Sequence, residues 1–383
     1  MDFRLSEEQE AFRETASAFA RSAMAPHAER WDADKVFPEE TLRRAAELGF
    51  AAIYVHEASG GSGLGRLDAA LIFEELAAAC PSTAAYLSIH NMVAWMVDRF
   101  GDDDQRQRWL GHLATMRWFA SYCLTEPDAG SDASSLRTRA VRDGDHYVLD
   151  GQKAFISGGG RADLYLVMAR TGEAGPRGIS CIAVEAGTPG LAFGAQEKKM
   201  GWNSQPTASV ILEGCRVPVA NRLGGEGDGF RIAMAGLDGG RINIGACSLG
   251  GAREAMARAR AHVRERRQFG QPLAGFQATQ FKLADMATEL EAARLLLHRA
   301  AAALDDGDGE RIVRAAMAKR FATDVGFRVA NEALQLFGGY GYIRDYGIER
   351  IVRDLRVHQI LEGTNEIMRL IIARHLLDEP ARG

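Results

Sequence analysis

The sequence predicts an α+β multidomain protein with an N-terminal α-helical domain, a middle antiparallel β domain and a C-terminal four-helix bundle. Apolar residues recur at helical spacing through about residue 118. From about Ala120 the apolar runs become short or alternating and are separated by Asp-Gly, Gly-Gly and Pro-Gly pairs, which is typical of strands and turns. Helical spacing returns after Phe230. We therefore predict three domains, over residues 1–118, 119–225 and 226–383.

The N-terminal helices are indicated by their start and stop signals. Ser6 and Gln9 form a capping-box pattern, and apolar residues then follow at helical spacing. Further helices are predicted between Pro38 and Gly49, over Asp68–Cys80 with a stop at Pro81, and over Ser88–Phe100.

The middle and C-terminal domains are predicted from a change of period. Predicted strands cover residues 147–149, 164–169, 179–184 and 208–212. A glycine-rich segment, residues 224–229, indicates the connection to the next domain. Beyond it, a seam of leucines at seven-residue intervals predicts packing of long helices against one another: Leu283, Leu290, Leu297 and Leu304. Breaks at residues 305–309 and 337–341 divide this part into the helices of a bundle.

Composition and charge exclude several classes of function. The 46 Lys and Arg residues and 51 Asp and Glu residues give a net charge of −5, which offers no general attraction to nucleic acid. Five cysteines without a Cys-x-x-Cys pair fit reduced thiols in an intracellular protein. The sequence has no metal-ligand spacing and no apolar run long enough to span a membrane, so we predict neither a metal site nor a membrane span. A start without a signal core or presequence predicts a bacterial cytoplasmic location, with a mature mitochondrial matrix form as the alternative.

Glu362 is the candidate general base. Helical apolar spacing ends at Leu361, Gly363 breaks it, and Thr364 can cap a final helix. Glu362 therefore falls at a helix–helix junction behind two apolar residues, where desolvation would raise the pKa of its carboxyl. A solvated glutamate at a helix end is the competing interpretation.

Two other segments could bind a ligand. The polar segment Ser121–Asp132 is rich in backbone and hydroxyl donors, although an ordinary turn is the simpler interpretation. The cations at residues 264–267 could bind a pyrophosphate, or they could only complement the dipole of the helix that ends there. The chain has no Gly-x-Gly-x-x-Gly between a strand and a helix, so a bound dinucleotide would not use a Rossmann fold.

Four motifs, in order along almost the whole chain, resemble those of the acyl-CoA dehydrogenase family: Tyr122-Cys123-Leu124-Thr125-Glu126-Pro127, Arg266-Arg267-Gln268-Phe269-Gly270, Gln335-Leu336-Phe337-Gly338-Gly339-Tyr340-Gly341 and Leu361-Glu362-Gly363-Thr364-Asn365-Glu366. The resemblance implies three domains, FAD as cofactor and a homotetramer arranged as a dimer of dimers. It also implies an acyl-CoA substrate and electron transfer flavoprotein as the electron acceptor.

The resemblance assigns roles to individual positions. It implies that the flavin ring contacts Tyr122, Leu124, Thr125, Phe155, Ile156, Ser157, Thr364 and Glu366. It implies that the pyrophosphate and adenine contact Arg266, Gln268, Phe269, Gln277, Gln335, Gly338 and Gly339. Ser131, Asp238 and Arg241 match CoA-contacting positions, and Leu361 and Gly363 flank the catalytic base at the acyl group. Phe155 departs from the family, because many relatives carry Trp there.

The implied reaction is α,β-dehydrogenation of a thioester, with Glu362 taking the α-proton. Leu361 stands where many members carry Tyr, and this departure resembles members acting on short branched chains. Isobutyryl-CoA to methacrylyl-CoA, a step of valine breakdown, is the preferred reaction; 2-methylbutyryl-CoA and butyryl-CoA are alternatives, because one methylene contributes only about 1 to 3 kcal/mol of discrimination. An acyl-CoA oxidase, a catalytically inactive acyl-CoA-binding subunit and a DNA-binding flavoprotein of the same fold are further alternatives.

Overall fold

Helices alone make up the first third of the chain in the computed structural model, which describes residues 4–378. They are α1 (Glu7–Phe19), α2 (Ala28–Asp34), α3 (Glu39–Glu47), α4 (Arg66–Ala79), α5 (Pro81–Phe100) and α6 (Asp103–Ala114). The predicted capping box is present, because the Ser6 hydroxyl accepts from the Gln9 amide and the Gln9 side chain accepts from the Ser6 amide, both at 3.1 Å.

Pro81 ends one helix and begins the next. The prediction of a stop there was correct, but the prediction that the following helix starts at Ser88 was wrong. Cys80 alone, in extended conformation, separates α4 from α5. A proline fits the first helical position because the amide hydrogen it lacks has no partner within the helix at that position.

The middle of the chain forms an eight-stranded sheet. Its strands are β1 (Ala120–Cys123), β2 (Arg139–Asp143), β3 (His146–Ser157), β4 (Leu164–Arg170), β5 (Ile179–Glu185), β6 (Leu191–Phe193), β7 (Thr207–Pro218) and β8 (Arg222–Leu223). The order is β6-β7-β3-β2-β4-β5-β8, with β1 beside β4. Most neighbours are antiparallel, as predicted, but β1 and β2 both run parallel to β4. The predicted loop beginning at Ser121 therefore starts as a strand, and the buried Ser121 hydroxyl donates to the Ser157 carbonyl at 2.6 Å.

The last part of the chain is a helical bundle. It contains α7 (Gly229–Glu265), the small hairpin strands β9 (Arg267–Gln268) and β10 (Gln271–Pro272), α8 (Gln277–Asp305), α9 (Arg311–Phe337), α10 (Gly339–Tyr342), α11 (Ile348–Arg356) and α12 (Asn365–Asp378). The predicted seam is the buried face of α8, including Leu290 and Leu297. Three long helices, α7, α8 and α9, pack together, and the shorter α11 and α12 pack against α9.

Helix α7 also joins the bundle to the other parts, because it packs against α4 and α5 and against β5. Its middle third is buried almost completely, including polar residues such as Arg241 and Asn243. The five cysteines are all buried free thiols. Within residues 4–378 no helix has the length and apolar character needed to cross a membrane.

Candidate active site

Glu362 lies in a tight turn between α11 and α12. Its φ is 54° and that of Gly363 is 88°, so two successive residues adopt the left-handed conformation. The Thr364 hydroxyl then accepts from the Ile367 amide at 3.3 Å, which caps α12 as predicted. A left-handed conformation costs a residue other than glycine about 1–2 kcal/mol. Such strain concentrates at functional sites, where the surrounding contacts maintain it.

The Glu362 carboxylate is buried against α7. Its Oε2 has no hydrogen-bond partner within residues 4–378. A Cβ at Gly240 would lie 2.3 Å from this oxygen, so only glycine leaves room for the carboxylate. Burial raises the pKa of Glu362 to about 7, although Lys319 and Arg241 oppose the shift. The raised pKa agrees in direction with the expectation from the sequence, and it suits a general base near neutral pH.

Two buried cations hold the turn. The Lys319 ammonium donates to the Gly363 carbonyl at 2.8 Å and to Asn365 Oδ1 at 2.9 Å. Arg241 Nε donates to the Glu362 carbonyl at 3.4 Å, and its Nη1 pairs with Asp238 at 2.6 Å. Lys319 had no role in the sequence prediction, because its helix gives no local sign that the residue is buried.

The structure brings six of the predicted flavin-ring residues to one edge of the sheet, where β1 and the end of β3 meet: Tyr122, Leu124, Thr125, Phe155, Ile156 and Ser157. The Ala154 amide donates to the Thr125 carbonyl at 2.9 Å. Phe155 has a φ of 59° and 67% of its surface is exposed. An exposed aromatic ring in a strained backbone conformation beside hydroxyl and amide groups is suited to covering a planar ligand.

An ion pair between Lys153 and Glu126 stabilises this edge of the sheet. The sequence had predicted no role for either residue. The buried Lys153 ammonium donates to the Leu124 carbonyl at 3.0 Å and to Glu126 at 2.8 Å. Glu126 also accepts from the amides of Arg137 and Thr138, at 2.6 and 2.9 Å. These contacts hold the pKa of the Glu126 carboxyl below its usual value despite its burial. The ion pair therefore positions the segment that contains Leu124 and Thr125.

A second group of predicted residues lines a cavity of about 490 Å³ at the ends of α7 and α9: Arg266, Gln268, Gln335, Gly338 and Gly339. Phe269 stands at the tip of the β9–β10 hairpin with a φ of 52° and 93% of its surface exposed. Gln277 is exposed at the start of α8. Within residues 4–378 no hydrogen bond or ion pair joins this group to the sheet-edge group.

The remaining predicted residues belong to neither of these two groups. Glu366 is exposed on α12 and pairs with Arg369 at 3.6 Å. Ser131 is exposed between β1 and β2, and within residues 4–378 it makes no hydrogen bond with Asp238 or Arg241. Leu361 packs on a buried apolar cluster comprising Ala85, Trp202 and Ile244. The Trp202 indole donates to His358 at 3.2 Å, which fixes the ring.

The two groups fit the halves of FAD. The sheet edge offers an exposed ring, hydroxyls and backbone groups for an isoalloxazine. The cavity offers a guanidinium and amides for a pyrophosphate, and open space above Gly338 and Gly339, where a Cβ would meet nothing within 4 Å. This fold and this site define the class of flavin-dependent oxidoreductases.

Comparison with known proteins identifies the family. The chain matches the acyl-CoA dehydrogenase N-terminal domain over residues 6–117, the middle domain over 121–215 and the C-terminal domain over 227–377. The chain belongs to the acyl-CoA dehydrogenase family. This confirms the predicted family and fold class.

The relatives include mitochondrial isobutyryl-CoA dehydrogenases. That of Bos taurus is 59% identical over 98% of this chain and 90% of the relative, and that of Dictyostelium discoideum is 58% identical over 97% and 90%. Butyryl-CoA dehydrogenase from Megasphaera elsdenii superimposes with a TM-score of 0.95 at 40% identity, over 98% of this chain and all of that one. A chain solved in a study of the electron transferring flavoprotein of Acidaminococcus fermentans gives a TM-score of 0.96 at 43% identity, over 99% and 100%.

Proposed function

We propose that the protein is an FAD-dependent short branched-chain acyl-CoA dehydrogenase that converts isobutyryl-CoA to methacrylyl-CoA. The observation that carries the proposal is the buried, unpaired Oε2 of Glu362, on a carboxyl whose pKa is raised to about 7. The two isobutyryl-CoA dehydrogenases, identical at more than half of the aligned positions, support the choice of substrate.

Glu362 removes the α-proton of the thioester. The reaction needs a base within hydrogen-bond reach and a donor that polarises the thioester carbonyl. The backbone N–H of Glu362 makes no hydrogen bond within residues 4–378, so it is free to donate to that carbonyl. FAD, when bound, accepts the β-hydrogen as a hydride. Glu362 Oε2 keeps the abstracted proton away from water, because the carboxylate is covered by α7.

The proposed cofactor residues are those of the two groups. The sheet-edge residues, with Thr364 and Glu366, would hold the flavin ring, and the cavity residues, with Phe269 and Gln277, would hold the pyrophosphate and adenine. The exposed Phe269 and the lack of any direct bond between the groups support a site completed by a neighbouring subunit. We therefore propose a homotetramer built as a dimer of dimers.

Ser131, Asp238 and Arg241 remain the proposed CoA contacts. Arg241 is almost completely buried and bonded to the Glu362 carbonyl, which supports an additional part in holding the catalytic turn. Leu361 and Gly363 would contact the acyl group from either side of Glu362. Electron transfer flavoprotein is the proposed acceptor; the similar Acidaminococcus chain comes from work on such a flavoprotein.

We further propose domain limits near residues 118 and 225, where helices give way to strands after α6 and strands to helices before α7. For location we propose the bacterial cytoplasm. The mitochondrial matrix is the alternative, since the two named relatives are mitochondrial.

Anaerobic titration tests the proposal. The FAD-loaded protein is mixed with isobutyryl-, 2-methylbutyryl-, butyryl- and octanoyl-CoA, and loss of flavin absorbance is recorded. We expect isobutyryl-CoA to bleach the flavin fastest. Bleaching by none of the short thioesters would exclude the function, and rapid re-oxidation by oxygen would indicate an oxidase instead. Glu362→Gln should keep FAD and ligand binding and lose about 10²–10⁴-fold of the turnover, because a general base contributes about that much.

A further inference from the structure

Arg66, the first residue of α4, is a buried cation without an ion-pair partner. Only 8% of its surface is exposed. Its backbone amide donates a hydrogen bond to Asp305 Oδ1 at 2.7 Å. Within residues 4–378, however, no carboxylate lies within ion-pairing distance of its guanidinium. A buried charge without a direct partner is costly, so its retention calls for an explanation in terms of function.

The Arg66 guanidinium and the Glu362 carboxylate approach two consecutive glycines of α7. A Cβ at Gly239 would lie 2.3 Å from Arg66 Nη1, and a Cβ at Gly240 would lie 2.3 Å from Glu362 Oε2. Consecutive Cα atoms are about 3.8 Å apart. Arg66 and Glu362 therefore reach neighbouring points on one helix, and the Tyr54 phenol interacts electrostatically with both.

Aromatic rings hold the guanidinium in place. It lies 3.6 Å from the centroid of the Tyr54 ring and 4.8 Å from that of Trp95. The Tyr54 hydroxyl in turn accepts from Asn243 Nδ2 at 3.0 Å. Because its flanking rings are themselves packed, Arg66 has no room to swing away from α7 without disturbing them.

We propose that Arg66 closes the acyl-binding site at the end of a short acyl group and so excludes longer chains. The inference rests on the proposed dehydrogenase function, since it places the acyl group between Glu362 and the flavin. A chain of six carbons would have to displace the guanidinium from its rings or cover it with hydrocarbon, and either is unfavourable.

A second interpretation is that Arg66 binds a carboxylate at the end of a dicarboxylic acyl group. The surrounding charges disfavour it. Asp238 and Asp305 both act electrostatically on Arg66 and already offset part of its charge. An incoming carboxylate would be repelled by these two acids, whereas a short neutral acyl group would not be.

The test compares kcat/KM for hexanoyl-CoA and isobutyryl-CoA in the FAD-loaded enzyme. Arg66→Ala removes both bulk and charge, and Arg66→Met removes the charge while keeping most of the length. Arg108→Ala is the matched control, since Arg108 stacks over Trp109 at 4.2 Å and contacts Asn221 and Glu185 away from Glu362. Flavin content and thermal unfolding establish that each variant is folded.

We expect Arg66→Ala to raise the hexanoyl to isobutyryl ratio at least about tenfold, since one methylene in such a pocket changes selectivity by about 10- to 200-fold. Arg66→Met should raise it less, and Arg108→Ala should leave it unchanged. An unchanged ratio in folded Arg66 variants, or preference of the unmodified enzyme for glutaryl-CoA, would overturn the inference. An unchanged ratio leaves the proposed function intact, whereas a preference for glutaryl-CoA would also overturn isobutyryl-CoA as the proposed substrate. The dehydrogenase activity itself fails only if no acyl-CoA thioester bleaches the flavin of the unmodified enzyme.

Discussion

Lys319 Nζ donates a 2.8 Å hydrogen bond to the carbonyl oxygen of Gly363, the residue that follows the proposed base. One ammonium thus fixes the left-handed turn and places a positive charge near the Glu362 carboxylate. Burial lowers the pKa of Lys319 itself to about 8, and Glu362 opposes that shift. The two groups therefore stabilise each other's charged form.

Replacing Lys319 by Met should shift the pH dependence of catalysis. Lys319 favours the ionised form of Glu362, so its loss raises the pKa of that carboxyl above 7. Glu362 acts as a base only when ionised, so the rise of kcat with pH should move to higher pH in the variant. Stopped-flow rates of flavin bleaching between pH 5.5 and 9 measure this shift.

Lys319→Arg and Lys199→Met are the controls for that experiment. Lys319→Arg keeps a cation at this position, so the pH dependence of its bleaching rate should stay close to that of the unmodified enzyme. Lys199 is half-buried, and burial lowers its pKa to about 8. Its ammonium donates to the Gln205 carbonyl at 2.7 Å and not to the turn that contains Glu362. A profile in Lys319→Met that coincides with that of the unmodified enzyme would show that Lys319 has only a structural part.

Glu362 should make the protein less stable at high pH. Its folded pKa is about 7 and its ordinary value is 4.5, so the folded state binds the proton more tightly than the unfolded state. Stability is therefore lost as pH rises from about 4.5 through about 7, and the loss remains complete above that. The Tm of Glu362→Gln should exceed that of the unmodified protein at pH 8, with the difference disappearing near pH 4.

Differential scanning calorimetry of FAD-saturated samples checks this expectation. Glu14→Gln, at an exposed position of α1, is the control and should change Tm equally little at both pH values. A Tm difference for Glu362→Gln that is the same at pH 4 and pH 8 would mean that the carboxylate is not destabilised by burial.

Gly240→Ala should displace the base without unfolding the protein. The added Cβ would lie 2.3 Å from Glu362 Oε2, and the carboxylate must move. Misplacing a reacting group by about 1 Å costs on the order of 100-fold in rate. Gly111→Ala in α6 is the matched control, because its Cβ would meet nothing within 4 Å. The single-turnover rate of flavin bleaching is measured for both variants. A normal rate in Gly240→Ala would show that the carboxylate of Glu362 is not packed tightly against α7.

Phe269 should matter for cofactor retention and little for stability. Its side chain is 93% exposed in the isolated chain, so removing it forfeits little packing. If it contacts FAD across subunits, Phe269→Ala should weaken FAD binding by at least about 2- to 13-fold, because an aromatic contact contributes about 0.5–1.5 kcal/mol beyond its burial. Equilibrium dialysis measures this. Val141→Ala, another exposed apolar position on β2, should leave FAD binding unchanged.

The sequence predicted the domain order and the position of Glu362 because both depend on local signals. Helical and alternating spacing separate the three parts, and Gly363 with Thr364 marks the junction that contains the proposed base. The parallel pairing of β1 with β4 was missed, because pairing depends on partners more than 40 residues away. The start of α5 was missed because a proline was interpreted as a stop only.

The partners of Glu362 could not be predicted from local pattern. Lys319 stands beside Arg320 in a helix, where two cations usually indicate a solvated face, and only the tertiary packing buries it. The consecutive glycines Gly239 and Gly240, by contrast, are visible in the sequence as an unusual pair inside a helix. Each glycine inside a helix costs about 1 kcal/mol relative to alanine, so a consecutive pair indicates that something approaches the helix closely. The structure shows that Arg66 and Glu362 do so.

The choice of a branched substrate can be tested at Leu361. Its side chain packs with Trp202 and Ile244, and the Trp202 ring is fixed by its bond to His358. A tyrosine there must enter this cluster or turn toward the acyl group. Overpacking costs about 1–3 kcal/mol, which corresponds to about 5- to 160-fold in rate if the strain falls on the acyl group.

Leu361→Tyr should therefore lower kcat/KM for isobutyryl-CoA more than for butyryl-CoA, because the proposed site places Leu361 next to the base, where a branch at the α-carbon needs room. Leu361→Met keeps the volume and should change neither value by more than a few-fold. Steady-state rates with an artificial electron acceptor give both ratios. Equal losses for the two substrates in a folded, FAD-containing Leu361→Tyr enzyme would show that branching is selected elsewhere, and Arg66 with its aromatic neighbours would then be the next part of the site to vary.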